Sequence, residues 1–157
     1  MTSVPLHIRP AGPADQAFFV ELYRSTRADL QAMLADPRYI DAIVAMQQQA
    51  QAAGYRNSYP DALYQVLELD GIAAGRLVTA DAAGALRVVD IAVIPWARGR
   101  GVASEALRRL QRQAALEGRD VTLGVRKDNA GARRLYLALG FAVEGEDAAS
   151  LQLRWRA

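Results

Sequence analysis

The stretch IPWARGRGVAS, residues Ile94 to Ser104, decides how this chain is read. An apolar run leads into it, a helical pattern leaves it, and between them two arginines alternate with two glycines. A helix start presents unpaired N–H groups and the positive end of the backbone dipole, and together these attract phosphate. Gly99 and Gly101 carry no side chain that would keep an anion from the backbone. Arg98 and Arg100 add charge and forked donors, and Ser104 offers a hydroxyl in the first helical turn. These are the parts of a phosphate or pyrophosphate cradle.

Two familiar cradles do not fit. A P-loop needs a glycine followed by lysine and then Ser or Thr, and no Gly-Lys pair exists here. A dinucleotide-binding turn needs GxGxxG, and its third glycine is replaced by Ser104. Asp120 stands at a suitable distance for such a turn but opens the next strand. The loop also follows antiparallel hairpins, whereas a dinucleotide fold builds parallel units from its first strand.

Working outward, the segment before the loop alternates with period two. ALYQVLEL (62–69) and IAAGRLVTA (72–80) read as strands joined by a tight turn at Asp70-Gly71. DAAG (81–84) is a second turn, and ALRVVDIAVI (85–94) a long strand. After the loop, Val102, Ala106, Leu107, Leu110 and Ala114 recur at helical spacing as far as Glu117, and Gly118 ends the helix. DVTLGVR (120–126) is a strand. Asn129 to Leu139 is a helix closed by Gly140, and FAVEGE and SLQLRWR are final strands. The crossover over 85–126 is expected to be right-handed and to set its two strands parallel.

Nearer the start, VPLHIR (4–9) predicts a strand, and 13–30 one helix opened by Pro13. Asp36 caps a second helix that runs to Ala53 and ends at Gly54. GYRNSYPDA (54–62) reads as a surface loop. The order predicts an α+β (mixed α/β) fold.

The 157 residues suffice for one domain with a sizeable core. With no cysteine, disulfides, thiol nucleophiles and thiolate metal sites are excluded. His7 is the only histidine, which argues against a His-based metal site or a Ser-His-Asp triad. The net charge is +2, with nearly every cation an arginine and Lys127 the sole lysine. The charges are scattered, with no basic tail. No apolar run reaches the roughly 18 residues of a membrane span. The opening MTSVPLHIRPAG lacks the layout of a signal peptide, so the expectation is cytoplasmic.

The loop does fit another pattern. Arg98-Gly-Arg-Gly-Val-Ala103, after a strand ending Val93-Ile-Pro95, resembles the acyl-CoA-binding loop, Q/R-x-x-G-x-G/A, of the GNAT superfamily of N-acetyltransferases. NAGARRLYLALGF (129–141) resembles the same family's N-x-x-A-x-x-L-Y-x-x-x-G-F helix, with Asn129, Ala132, Leu135, Tyr136, Gly140 and Phe141 all matching. Asn129 and Tyr136 lie two turns apart on one helix face, about 10 Å along the axis.

The resemblance implies a single GNAT-like acyl-CoA N-acyltransferase domain over 1–157, with a central mixed and splayed sheet flanked by about four helices. It implies acetyl-CoA as acyl donor, an amine acceptor, no metal, and a homodimer as a common assembly. Backbone amides across Arg98, Gly99, Arg100, Gly101, Val102, Ala103 and Ser104 would hold the coenzyme A pyrophosphate. Ile91, Ala92, Val93 and Ile94, with Val93 foremost, would pair with the pantetheine arm like an added strand. Asn129, Ala132 and Tyr136 would complete the cofactor site, and Arg133 or Arg134 could reach a phosphate.

It also implies direct attack of an amine on the thioester. A free N–H near Val93 would meet the developing oxyanion. Tyr136 is the candidate acid for the departing thiolate: a thiol has a pKa near 8.5 and a phenol near 10. Asp90, an acid inside an apolar strand, and Glu68 on the neighbouring strand are the candidate bases. Tyr55, Arg56, Tyr59 and Asp61 would line the acceptor side. A non-catalytic acyl-CoA-binding or regulatory module on the same fold is the alternative. RNA binding through Arg98, Arg100, Arg108, Arg109 and Arg112 is a third reading, but no aromatic side chains interleave with these arginines and Trp96 stands alone.

Overall fold

A computed structural model describes residues 4–157. Seven strands run in chain order as β1 (Leu6–Pro10), β2 (Leu63–Leu69), β3 (Ile72–Ala82), β4 (Ala85–Val93), β5 (Val121–Arg126), β6 (Ala142–Glu146) and β7 (Ser150–Trp155). Five helices accompany them: α1 (Gln16–Ser25), the single turn α2 (Ala28–Gln31), α3 (Pro37–Ser58), α4 (Val102–Leu116) and α5 (Ala130–Ala138). The strands form one sheet in the order β1-β2-β3-β4-β5-β7-β6. Every neighbouring pair is antiparallel except β4 and β5, which the α4 crossover makes parallel. The α+β expectation holds, with five helices where about four were expected.

The two sheet faces carry different layers. Leu67, Leu77, Leu86, Val88, Leu123 and Leu153 share a core with Val102, Ala106, Leu107, Leu110 and Ala114 of α4. That helical stripe follows the 3.6-residue period, and each fully buried Leu or Val in it contributes about 1.5–3 kcal/mol. Val66 and Val78 face the other way, as do Arg76 and Asp90. Phe19 of α1 and Val44 of α3 are buried in the layer that covers them.

Three boundaries differ from the sequence reading. Residues 13–30 do not form one helix. A 3₁₀ turn over Pro13–Asp15 precedes α1, which stops where Ser25 and Thr26 turn their hydroxyls back onto the carbonyls of Leu22 and Tyr23. The second helix does not end at Gly54: α3 continues to Ser58, so Tyr55 and Arg56 are helical and the loop shrinks to residues 59–62. Strand β3 runs to Ala82, leaving Ala83 and Gly84, both at positive φ, as the turn. Among the described residues no helix is long and apolar enough to cross a membrane.

Candidate active site

The site begins where β4 and β5 part. They pair only over Leu86–Val88 and Val121–Leu123, and beyond that the two strands separate. On its other side β4 stays paired with β3 up to Val93. Val78 opposes Asp90 and Thr79 opposes Val88, so Val89 is an extra residue, a bulge at the point of separation.

The bulge changes which way side chains point. Leu86 and Val88 face the α4 core. Strict alternation would send Asp90 into that core too. The extra residue reverses the parity, and Asp90 faces Arg76 on the α1/α3 side instead.

Beyond the bulge the backbone of β4 has a free side. The Ile94 N–H donates to the Ala74 carbonyl across β3 at 2.8 Å. By alternation the N–H and C=O of Val93, and of Ile91 before it, face the separation. The Val93 carbonyl accepts the Nε–H of Arg98 at 3.0 Å. Its N–H has no such partner among the described residues.

Three clefts follow this open edge. One of about 400 Å³ lies at the start of α4, between Val93, Arg98, Gly99, Gly101 and Ser104 and the α5 residues Gly131 and Leu135. Val102 and Ala103 also line it. The next, about 490 Å³, is bounded by Ser25, Thr26, Ile91, Ala92, Val93, Arg98 and Asn129. The third, about 160 Å³, occupies the separation itself, with Asp90, Ile91, Asn129 and Tyr136 on its walls.

Gly99 and Gly101 have φ of 74° and 79°, a region that costs other residues but not glycine. A Cβ on Gly101 would also press on Val4 at 3.2 Å. Arg100 turns away, with its guanidinium 5.8 Å from the Trp96 ring. Ile94 is buried and its N–H is spent on β3, so of the four strand residues singled out it alone faces away from the clefts.

Asn129 caps α5, its Oδ1 accepting the Ala132 N–H at 3.2 Å, and the same residue walls two of the clefts. Ala132 packs against the core. Tyr136 is buried, its ring edge-on to Phe141 at 6.0 Å. Burial pushes the Tyr136 phenol up to about 12, and the nearby Asp90 carboxylate adds to the rise.

A strand edge left open beside a helix preceded by a loop with two glycines can pair with a linear ligand and hold its anionic end. Comparison with known proteins accords with that geometry. Residues 19–141 match the model of the Acetyltransferase (GNAT) family. The chain belongs to the GNAT family.

That membership makes it an acyltransferase. Solved structures with the same fold include a PaiA N-acetyltransferase from Thermoplasma acidophilum in complex with coenzyme A, 16% identical, covering 97% of this chain and 99% of that one, TM-score 0.74. Another is the ribosomal-protein-S18-alanine N-acetyltransferase of Escherichia coli, 18% identical, covering 96% and 93%, TM-score 0.69. A third is YncA, a putative acetyltransferase from Salmonella typhimurium with acetyl-CoA, 19% identical, covering 97% and 94%, TM-score 0.58. No curated protein sequence matches significantly.

In this GNAT chain the remaining candidates divide. Tyr55 reaches the site from α3: it is half-buried, and desolvation first, then the Asp90 charge, raises its phenol. Arg56 and Asp61 are exposed, and Tyr59 caps the end of α3; none of the three lines the clefts described above. Glu68 is engaged elsewhere. Arg9 donates to it at 3.0 Å and to Asp15 at 2.8 Å, tying β2 to the start of α1. Among the described residues no cluster of His, Asp and Glu gathers that could hold a metal ion.

Sequence reasoning missed Gly75 and Arg76. A Cβ on Gly75 would collide with the Ala92 carbonyl oxygen, so the missing side chain lets β4 lie close against β3 beyond the bulge. Arg76 is buried and ion-paired to Asp90 at 2.8 Å. A glycine and a charge side by side in an apolar strand was the available signal.

Proposed function

We propose that this protein transfers the acetyl group of acetyl-CoA to a primary amine of a small molecule, peptide or protein, by direct attack in a ternary complex. The observation that carries this reading is the one-sided edge at Val93, which runs from the glycine loop to the cleft holding Asp90 and Tyr136. Structural relatives crystallised with coenzyme A and acetyl-CoA support the choice of donor.

In this scheme the pyrophosphate rests on the amides at the start of α4, over Gly99 and Gly101. The pantetheine arm adds to β4 at Ile91 and Val93, taking over the Val93 carbonyl from Arg98. The thioester then lies in the separation. The amine nitrogen attacks the carbonyl carbon, whose oxygen gains charge beside a free β4 N–H. Asp90 receives the amine's proton, directly or through water.

The C–S bond breaks and the sulfur takes a proton supplied by Tyr136. Against a free thiol near 8.5, a phenol at about 12 would give up its proton about 5 kcal/mol uphill. Tyr136 therefore acts first as a hydrogen-bond donor to the departing sulfur. Full transfer becomes feasible because the same desolvated cleft raises the thiol as well.

Two measurements test the reading. Calorimetric titration with acetyl-CoA and with coenzyme A should show binding that weakens with salt, and no binding to either overturns the proposal. Thiol release across a panel of primary amines should show turnover with at least one. Binding without release from any amine points to a non-catalytic module.

A further inference from the structure

We infer that Arg76 is a positioning residue: it pins the Asp90 carboxylate by one oxygen at the wall of the β4–β5 separation and leaves the other free for the reaction. The inference rests on reading that separation as the acyl-transfer site.

Arginine is expensive to bury, and the Arg76 side chain keeps only 8% of its surface exposed. Two of its donors, Nε at 3.2 Å and Nη2 at 2.8 Å, converge on the same Asp90 oxygen, Oδ2. The guanidinium also lies 5.1 Å from the centre of the Phe19 ring, so β4 holds it on one side and α1 on another. Asp90 Oδ1 accepts no hydrogen bond among the described residues, although Asp90 walls the cleft that holds Tyr136.

The arrangement depends on the bulge. Arg76 opposes Ala92 while Val78 opposes Asp90, so Arg76 and Asp90 are diagonal neighbours on one face. Without Val89 as an extra residue, Asp90 would point into the α4 core, away from Arg76. One local irregularity thus both ends the β4–β5 pairing and brings the carboxylate to its clamp. The groups around Asp90 are Arg76 from β3, Tyr55 from α3, Tyr136 from α5, and Arg126 on the β5 wall.

Tyr136 supplies a readout that needs no turnover. Tyr136 and Asp90 line the same cleft, so the Tyr136 ionisation midpoint should respond to where the carboxylate sits, and Asp90→Asn checks that it does. We would label the tyrosines with 3-fluorotyrosine, which lowers phenol midpoints, and follow Tyr136 by fluorine NMR, its signal identified by loss in Tyr136→Phe. Asp90→Asn should lower the midpoint. Arg76→Met should lower it toward the Asp90→Asn value, because an unpinned carboxylate rotates away, and Arg76→Lys should fall between wild type and Arg76→Met. A midpoint that stays put or rises in Arg76→Met overturns the inference, since losing a cation beside a fixed carboxylate acts in that direction. If Arg76→Met does not fold, Arg76→Lys decides alone: a midpoint equal to wild type overturns the inference.

With an accepted amine, Arg76→Met should lower kcat about tenfold or more while the KM for acetyl-CoA stays within about twofold, a split that general destabilisation does not produce. A protein that acetylates no amine overturns the proposed function, while the Tyr136 midpoints still decide the role of Arg76.

Discussion

Gly75 of β3 lies so close to Ala92 of β4 that a side chain at position 75 would run into the Ala92 carbonyl oxygen and stand 3.3 Å from the Val93 Cα. The obstacle is backbone on both counts, so it cannot rotate aside. Gly75→Ala should therefore cost about 1–3 kcal/mol, the usual range for overpacking. It should also push β4 toward β5 and weaken coenzyme A binding. Denaturant unfolding reads the first effect and calorimetry the second. An alanine variant with unchanged stability and unchanged affinity would show that the approach is not tight in solution.

The loop glycines should behave unequally. Gly99→Ala meets open space and carries only the left-handed backbone penalty, about 1–2 kcal/mol. Gly101→Ala adds crowding against Val4 and should be the more destabilised of the two. Both should bind coenzyme A more weakly, and unfolding midpoints compared side by side check the ranking.

Tyr136 should stay protonated across the working pH range of the protein. Its folded-state value, about 12, lies above the ordinary phenol value near 10. The stability this contributes is fully present below pH 10 and is lost as pH rises toward 12, because the unfolded phenol ionises first. Tyr136→Phe should lower kcat by about 100-fold, within the range for a positioned acid, and by the same factor from pH 6 to 9. A loss that varies with pH in that interval would assign the titration to Tyr136 after all.

Asp15 sets the acid limit. The Arg9 guanidinium first, and the Gly12 N–H second, hold its carboxyl down at about 2. A lowered folded-state value gives stability that is complete above the unfolded value near 3.9 and disappears as pH falls through 2. Asp15→Asn should remove this part of the slope between pH 4 and 2 in urea unfolding. The partner Arg9 also loses a contact, so Asp15→Asn should be less stable at neutral pH too.

The β4–α4–β5 crossover and the Asn129 cap were legible because each depends on a local pattern: a 3.6-residue apolar stripe, and a side chain that bonds three residues ahead. The length of α3 was not. Gly54 looked like a stop, and glycine inside a helix costs only about 1 kcal/mol, which the half-burial of Tyr55 can offset. The direction of Asp90 was also hidden. Counting by twos from Leu86 and Val88 places it in the α4 core, and nothing in RVVDIAV marks Val89 as the residue that breaks the count. The Arg76–Asp90 pair was invisible for the same reason, since it exists only in the bulged register.

An unpaired strand edge ordinarily invites another chain to stack onto it, which is how sheets grow into aggregates. Here the unpaired length of β4 is interior to the sheet, with β5 beyond it and α4 and α5 walling the clefts alongside. A foreign strand needs a flank of open space about 5 Å wide along its whole length. The gap closes at Val88 and Leu123, where β4 and β5 pair, so it has no such flank along its whole length. The incompletely paired length of β4 thus lies inside the sheet, with Arg98 covering the Val93 carbonyl, and not on either outer edge, where β1 and β6 stand.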